Sequence, residues 1–198
     1  MRKFLIIFAA IGLMAGFAGK VMATGDGASQ TQVVTFNLPT ITILGVENGS
    51  APPVFTFSAP TDAGDTIAAQ KDVASWINIT SILSDASHHK IVTVGMGASD
   101  VVPAGTLLDL ETMDHVSGGA SGAWGTAVGK KNLNGVLVSS PLTIIDGIGS
   151  GYTGTGTDLG YQLKYTWRIN PAFPVGLIST SATTITLTYT ISEVANPI

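Results

Sequence analysis

A chain of 198 residues without a cysteine holds its fold by packing, hydrogen bonding or association, because no disulfide can form. Only 11% of its residues are charged, against about 25% in ordinary soluble domains, and Thr, Ser, Gly and Ala stand where strong helix formers would. Beyond residue 23, six basic residues face thirteen acidic ones, a formal charge near −7, which excludes the basic face that nucleic acid requires.

The first segment has the order of a secretory signal. Arg2 and Lys3 precede a nearly unbroken apolar run, Phe4 to Phe17, and Val21-Met22-Ala23 offers a small-residue cleavage site before Thr24. The run falls short of the ~20 residues of a membrane span and is interrupted by glycine. No cysteine follows it to carry a lipid, and no later stretch is apolar enough to cross a bilayer. The expectation is a signal peptide over 1–23 and one exported domain over 24–198, long enough to bury its own core. Its location is then extracellular or on the cell surface, through the periplasm in a Gram-negative host.

Residues 24–32 are small and polar and read as a flexible leader. Val34, Phe36 and Leu38 then alternate with Thr35 and Asn37, a strand pattern. After Pro39 the apolar positions shift parity to Ile41 and Ile43, which predicts a bulge or a change of sheet. Further strands are expected at Val54–Ser58, Trp76–Ile82, Lys90–Met96, Thr106–Thr112, Gly135–Ser139 and Leu142–Ile145. Turn chemistry separates them at Pro52-Pro53, Asp62-Ala-Gly, Pro103-Ala-Gly and Asn134-Gly135. Thr66–Ala74 is the one segment with weak helical periodicity. Ser117–Gly125 and Gly149–Gly160 read as loops by composition.

The clearest strand is YQLKYTWRI, Tyr161 to Ile169, nine residues of strict alternation with one buried and one wet face. The terminal TTITLTYTIS, Thr183 to Ser192, has the same form and reads as a resident strand with Tyr161–Ile169 as its partner. Many short strands divided by turn signals predict an all-β fold, an antiparallel β-sandwich with Greek-key links of immunoglobulin-like or jelly-roll-like type.

Residues that could carry chemistry are sparse. Nucleophilic catalysis needs a base beside the nucleophile, and the three histidines, His88, His89 and His115, lie in polar turn or loop settings. Adjacent side chains on a strand face opposite ways, so His88 and His89 make a poor metal pair. Asp109 and Glu111 share a strand face, as paired carboxylates of a glycoside hydrolase would, but alternate apolar and acidic residues also describe a solvated sheet face. The expectation is no catalysis. Asp62 and Asp65 are the candidate calcium ligands, although Ca²⁺ needs six to eight oxygens and no EF-type loop is present. Trp76 and Trp167 are expected in the core. Trp124 and Tyr152, in glycine-rich stretches, are the candidates for stacking on a sugar ring.

The signal segment Met1–Ala23, the alternating VVTFNL and the Thr-rich TITLTYTIS together resemble the secreted subunits of bacterial fimbriae and related adhesins. That resemblance implies a structural or adhesive subunit that assembles with its own kind or with related surface subunits. An extended segment adds to an open sheet edge through main-chain hydrogen bonds, and Gln32–Leu38, with Val34, Phe36 and Leu38 as apolar anchors, is the candidate donor. The alternative is a carbohydrate-binding module with a glycan partner.

Overall fold

A computed structural model of the chain describes residues 32–36, 38–49, 51–116, 121–173 and 182–196. The expected signal peptide, residues 24–31 of the leader, Ser117–Ala120 of the first glycine-rich segment and residues 174–181 lie outside the described residues. The chain divides between Asn37 and Leu38 into two units, and the strands among the described residues belong to the second.

The described fold is all-β. Its strands are β1 (Ile41–Asn48), β2 (Gln70–Ile82), β3 (His88–Met96), β4 (Thr106–Thr112), β5 (Ser121–Ala127), β6 (Gly129–Asn132), β7 (Leu142–Tyr152), β8 (Tyr161–Ile169) and β9 (Leu187–Ala195). Every strand pair is antiparallel, in the order β6-β4-β8-β2-β7-β3-β9, with β1 on β2 and β5 on β7. The two expected sheets are therefore joined by hydrogen bonds into one. The junction is β2, whose 13 residues carry β1 along one edge and, on the other, first β8 at Gln70–Ile77 and then β7 at Thr80–Ser81.

Alternation places the core. Tyr161, Leu163 and Tyr165 of β8, Leu108 and Leu110 of β4, and Val92, Val94 and Met96 of β3 are buried together with Ile77, Ile79, Ile144, Ile145 and Ile148. The sheet curls back on itself, since the hydroxyls of Tyr165 on β8 and Tyr189 on β9 hydrogen-bond although three strands separate them in the order. Burial raises both phenols, Tyr165 to about 12, so neither ionises in the physiological range.

Two charged groups act as cross-links in this cysteine-free fold. Lys90 is 1% exposed, and its ammonium donates to Ile41 O at 2.8 Å, Thr42 Oγ1 at 2.5 Å and Ile82 O at 3.2 Å. It ties the start of β1 and the end of β2 to β3, and burial pushes its pKa down. Asp109, 3% exposed, joins β4 to β6 and β8. It accepts from Arg168 Nε and Asn132 Nδ2 at 2.9 Å each and pairs with Lys130 Nζ at 2.9 Å.

Several sequence expectations are corrected. The helix allowed at Thr66–Ala74 is absent, and Gln70–Ala74 opens β2. The register shift between Asp72 and Ser75 breaks the period of two that would have marked a strand. Val54–Ser58 pairs with no strand, yet Phe57 stacks on Trp167 at 3.8 Å and 14°, and Phe55 tilts against it at 6.4 Å. Alternation there reflects a strap lying on a side chain rather than a ladder. Gly135–Ser139 is a turn with a single parallel bridge, Leu137 to Met96. The terminal strand starts at Leu187 and pairs with β3, not with Tyr161–Ile169. Its expected inner residues, Ile185, Leu187, Tyr189 and Ile191, do pack against the core.

The glycine-rich segments hide strands. Of the expected loop at Ser117–Gly125, Ser121–Gly125 instead opens β5, which runs to Ala127, and of the expected loop at Gly149–Gly160, Gly149–Tyr152 instead ends β7. A Cβ on Gly122 would lie 2.3 Å from Ser150 O, and one on Gly149 would lie 2.7 Å from the Ala123 Cβ. At Gly149 glycine is required because β5 and β7 approach closely, and at Gly122 that approach adds to a left-handed backbone (φ 125°).

Trp167 anchors the strap, with its indole N–H donating to Thr106 Oγ1 at 2.9 Å. Trp167→Ala is expected to cost about 3–5 kcal/mol in urea unfolding and to open the chain near Phe55 and Phe57 to limited proteolysis.

Candidate functional site: free strand edges and an outer groove

Among the described residues, β1, β5, β6 and β9 each pair along one edge only. Natural edges are guarded by shortness, lysine, glycine kinks or bulges. β6 has four residues, two of them Lys130 and Lys131. β5 faces a bulge in β7 opposite Gly122–Trp124 and carries left-handed backbone at Gly122 (φ 125°) and Gly125 (φ 62°). β1 and β9 lack these guards: their registers run unbroken over eight and nine pairs, and each contains a single charged residue, Glu47 and Glu193. These two edges are the regular, unguarded ones.

Val34, Phe36 and Leu38 lie outside every strand, 60%, 89% and 74% exposed, and Val33 is exposed with them. Residues 32–36 and 38–40 thus carry exposed apolar side chains outside every described strand. Asn37 lies outside the described residues.

Trp124 is not the open stacking face that its glycine-rich neighbours suggested. It sits in β5, packs against the core, and its indole is covered by the His115 ring at 4.7 Å and 15°. Tyr161 closes the cluster, tilted on His115 at 5.6 Å and donating its hydroxyl to Trp124 O at 2.5 Å. His115 is thus half-buried rather than in an open loop. Burial pushes its pKa down, and its Nε2 is enclosed without a hydrogen-bond partner. Nothing in the local sequence signals the covering residue, which arrives from the far side of residues 116–121.

Tyr152 stays 48% exposed. The bulge opposite Gly122–Trp124 reverses side-chain parity along β7, so Ile148 faces the core and Tyr152 faces outward. Tyr152 is directly opposite Thr80, and Thr80 is opposite Ile43, so the three form one cross-strand row on the outer surface. Beside this row lies a groove of about 230 Å³ lined by Ile43, Gly45, Glu47, Asn78, Ile79, Thr80, Gly154 and Thr155. Its far wall is fixed by Asn78, whose Nδ2 donates to Leu159 O at 2.9 Å while its Oδ1 accepts from Gly156 N at 3.0 Å.

The adjacent histidines do face opposite ways. His88 pairs with Asp85 at 3.0 Å, and hydrogen bonds from Ser87 and then His88 draw that carboxyl down to about 2. Asp85 in turn raises His88. His89 lies between Asp146 Oδ1 at 2.9 Å and Asn196 Oδ1 at 2.7 Å. Asp62 and Asp65 are exposed across the turn at Gly64, closed by Asp65 N donating to Asp62 O at 3.3 Å. Among the described residues no group of three or more His, Asp or Glu side chains gathers in metal-binding geometry. Asp109 and Glu111 share the outer face of β4 as expected, but Asp109 is committed to Lys130, Asn132 and Arg168 while Glu111 is exposed.

No protein-family model, curated protein or solved structure matches the chain.

Burial raises the Asp109 pKa, but the hydrogen bonds from Lys130, Asn132 and Arg168 outweigh it and hold the carboxyl below its ordinary range. A carboxyl lowered in the folded state contributes stability above its unfolded pKa, and that contribution is lost as pH falls through the folded value. Asp109→Asn is therefore expected to lose about 1–3 kcal/mol at pH 7. Its unfolding free energy should also change less than that of the parent between pH 5 and pH 2, as followed by urea titration.

Proposed function

We propose that the chain is a non-catalytic structural subunit of a bacterial surface filament or coat, assembling with further copies by β-strand addition. The observation that supports this most is the exposure of Val34, Phe36 and Leu38 outside any ladder. A contiguous exposed apolar stretch is a mark of an interaction surface. An extended segment with apolar side chains at alternate positions is suited to edge addition, because main-chain hydrogen bonds supply affinity and alternate side chains supply register. Thr35, between the anchors, gives the added strand a polar outer face. The unguarded edges of β1 and β9 are of a length to receive it. The basic and apolar order of residues 1–23 supports export to the surface.

Light scattering coupled to size exclusion tests this. The protein is expected to form oligomers that grow with concentration. A Val34→Asp, Phe36→Asp double variant should stay monomeric with the parent's circular dichroism and melting temperature. A parent protein that remains monomeric at every concentration overturns the reading.

A further inference from the structure

We propose that the groove between β1 and residues 153–160 binds one neutral pyranose unit of a glycan. A pyranose has a C–H face that stacks on apolar surface and a rim of hydroxyls that needs hydrogen-bond partners. The groove and the cross-strand row beside it together carry residues of both kinds. Ile43 and Tyr152, each about half exposed, stand in one cross-strand row with Thr80 between them. Aromatic rings with one open face are favoured platforms for such stacking. Thr80, Thr155 and Glu47, with hydroxyl and carboxylate groups to offer, line the hollow beside that row.

Gly45 makes the hollow. It sits mid-strand between Ile43 and Glu47, opposite Asn78, and a Cβ there would meet nothing closer than Glu47 Oε1 at 3.9 Å and Asn78 O at 4.0 Å. Packing inside the domain therefore does not require glycine at this position, and the missing side chain leaves room for something from outside. The opposite wall is held in shape: Asn78 fixes residues 156 and 159 by two hydrogen bonds, and the segment uses left-handed backbone at Gly154 (φ 94°), Gly156 (φ 100°) and Asp158 (φ 67°). Asp158 adopts this conformation without being glycine, a sparsely populated state that persists only where the surroundings impose it. Asn78 is a positioning residue here, since its amide is used up in shaping the wall.

Size and charge narrow the class. About 230 Å³ is below the ~300–1,000 Å³ of sites for drug-sized molecules, which suits one sugar unit and not an enclosed oligosaccharide. The charged group in the lining is Glu47, and the chain beyond residue 23 is strongly acidic, so uronic and sialic acids are repelled.

Saturation-transfer NMR on the full protein tests the site, with methyl hexopyranosides and N-acetylhexosamines as neutral probes and glucuronate and N-acetylneuraminate as acidic ones. Saturation of the ring C–H protons is expected for at least one neutral probe and for neither acid. Gly45→Leu, whose Cβ meets nothing closer than 3.9 Å and whose side chain occupies the hollow, should abolish the signal at an unchanged melting temperature, and Tyr152→Ala should weaken it about tenfold. No transfer to any neutral probe, transfer that survives Gly45→Leu, or transfer to the acids overturns the proposal. Loss of assembly in Gly45→Leu with no sugar signal in the parent also overturns it and assigns the groove to a second copy. Because the Val34→Asp, Phe36→Asp variant leaves the groove intact, its sugar binding separates this proposal from the assembly reading.

Discussion

The pairing of β2 along both of its edges is the constraint to which the rest of the sheet is referred. Thirteen extended residues are long enough to hold β1 on one side and to pass the other side from β8 to β7. That hand-over makes one continuous hydrogen-bonded surface out of strands that would otherwise form two. It also fixes the cross-strand row that contains Ile43, Thr80 and Tyr152. A shorter β2 would leave β7 without its link to β1, and the outer groove would lose one of its walls.

The fold also shows how a chain with no disulfides and few charges uses the charges it has. Lys90 and Asp109 each join three strands, at different places in the sheet. Each is nearly inaccessible and each has its polar atoms satisfied, the condition under which a buried charge is tolerated. Lys90 is held by backbone and hydroxyl oxygens, and burial lowers its pKa although the charge of Glu193 pulls the other way. Asp109 has two cations and an amide, and its pKa is lowered despite burial.

Much of this was legible in the sequence, for a definite reason. β4 and β8 match their expected bounds, and β3 extends its expected span by two residues, because strict alternation with turn chemistry on either side leaves little freedom. The all-β antiparallel class follows from those segments. Illegible parts had their period of two broken or their residues explained by something else. The bulge at Asp72–Ser75 disguised the start of β2, and the glycines of β5 and β7 looked like a turn when they serve close strand approach. Phe55 and Phe57 alternate because they lie on Trp167. Among the site residues, Tyr152 kept its exposure, whereas Trp124 was covered by His115, a contact set by the path of the chain and invisible in local composition. Gly45 carried no signal at all, since an absent side chain marks a groove only when its neighbours are known.

The Lys90 contacts have a mechanical meaning. The ammonium grips the first two residues of β1, the point at which any pull on the preceding segment through Leu38 enters the sheet. From there β1 runs antiparallel beside β2 over eight paired residues. Tension along that strand loads the whole ladder in shear together with the lysine clamp, rather than opening one hydrogen bond at a time. A subunit joined to its neighbours through this segment would resist extension at its point of attachment, in a protein with no disulfide to do so.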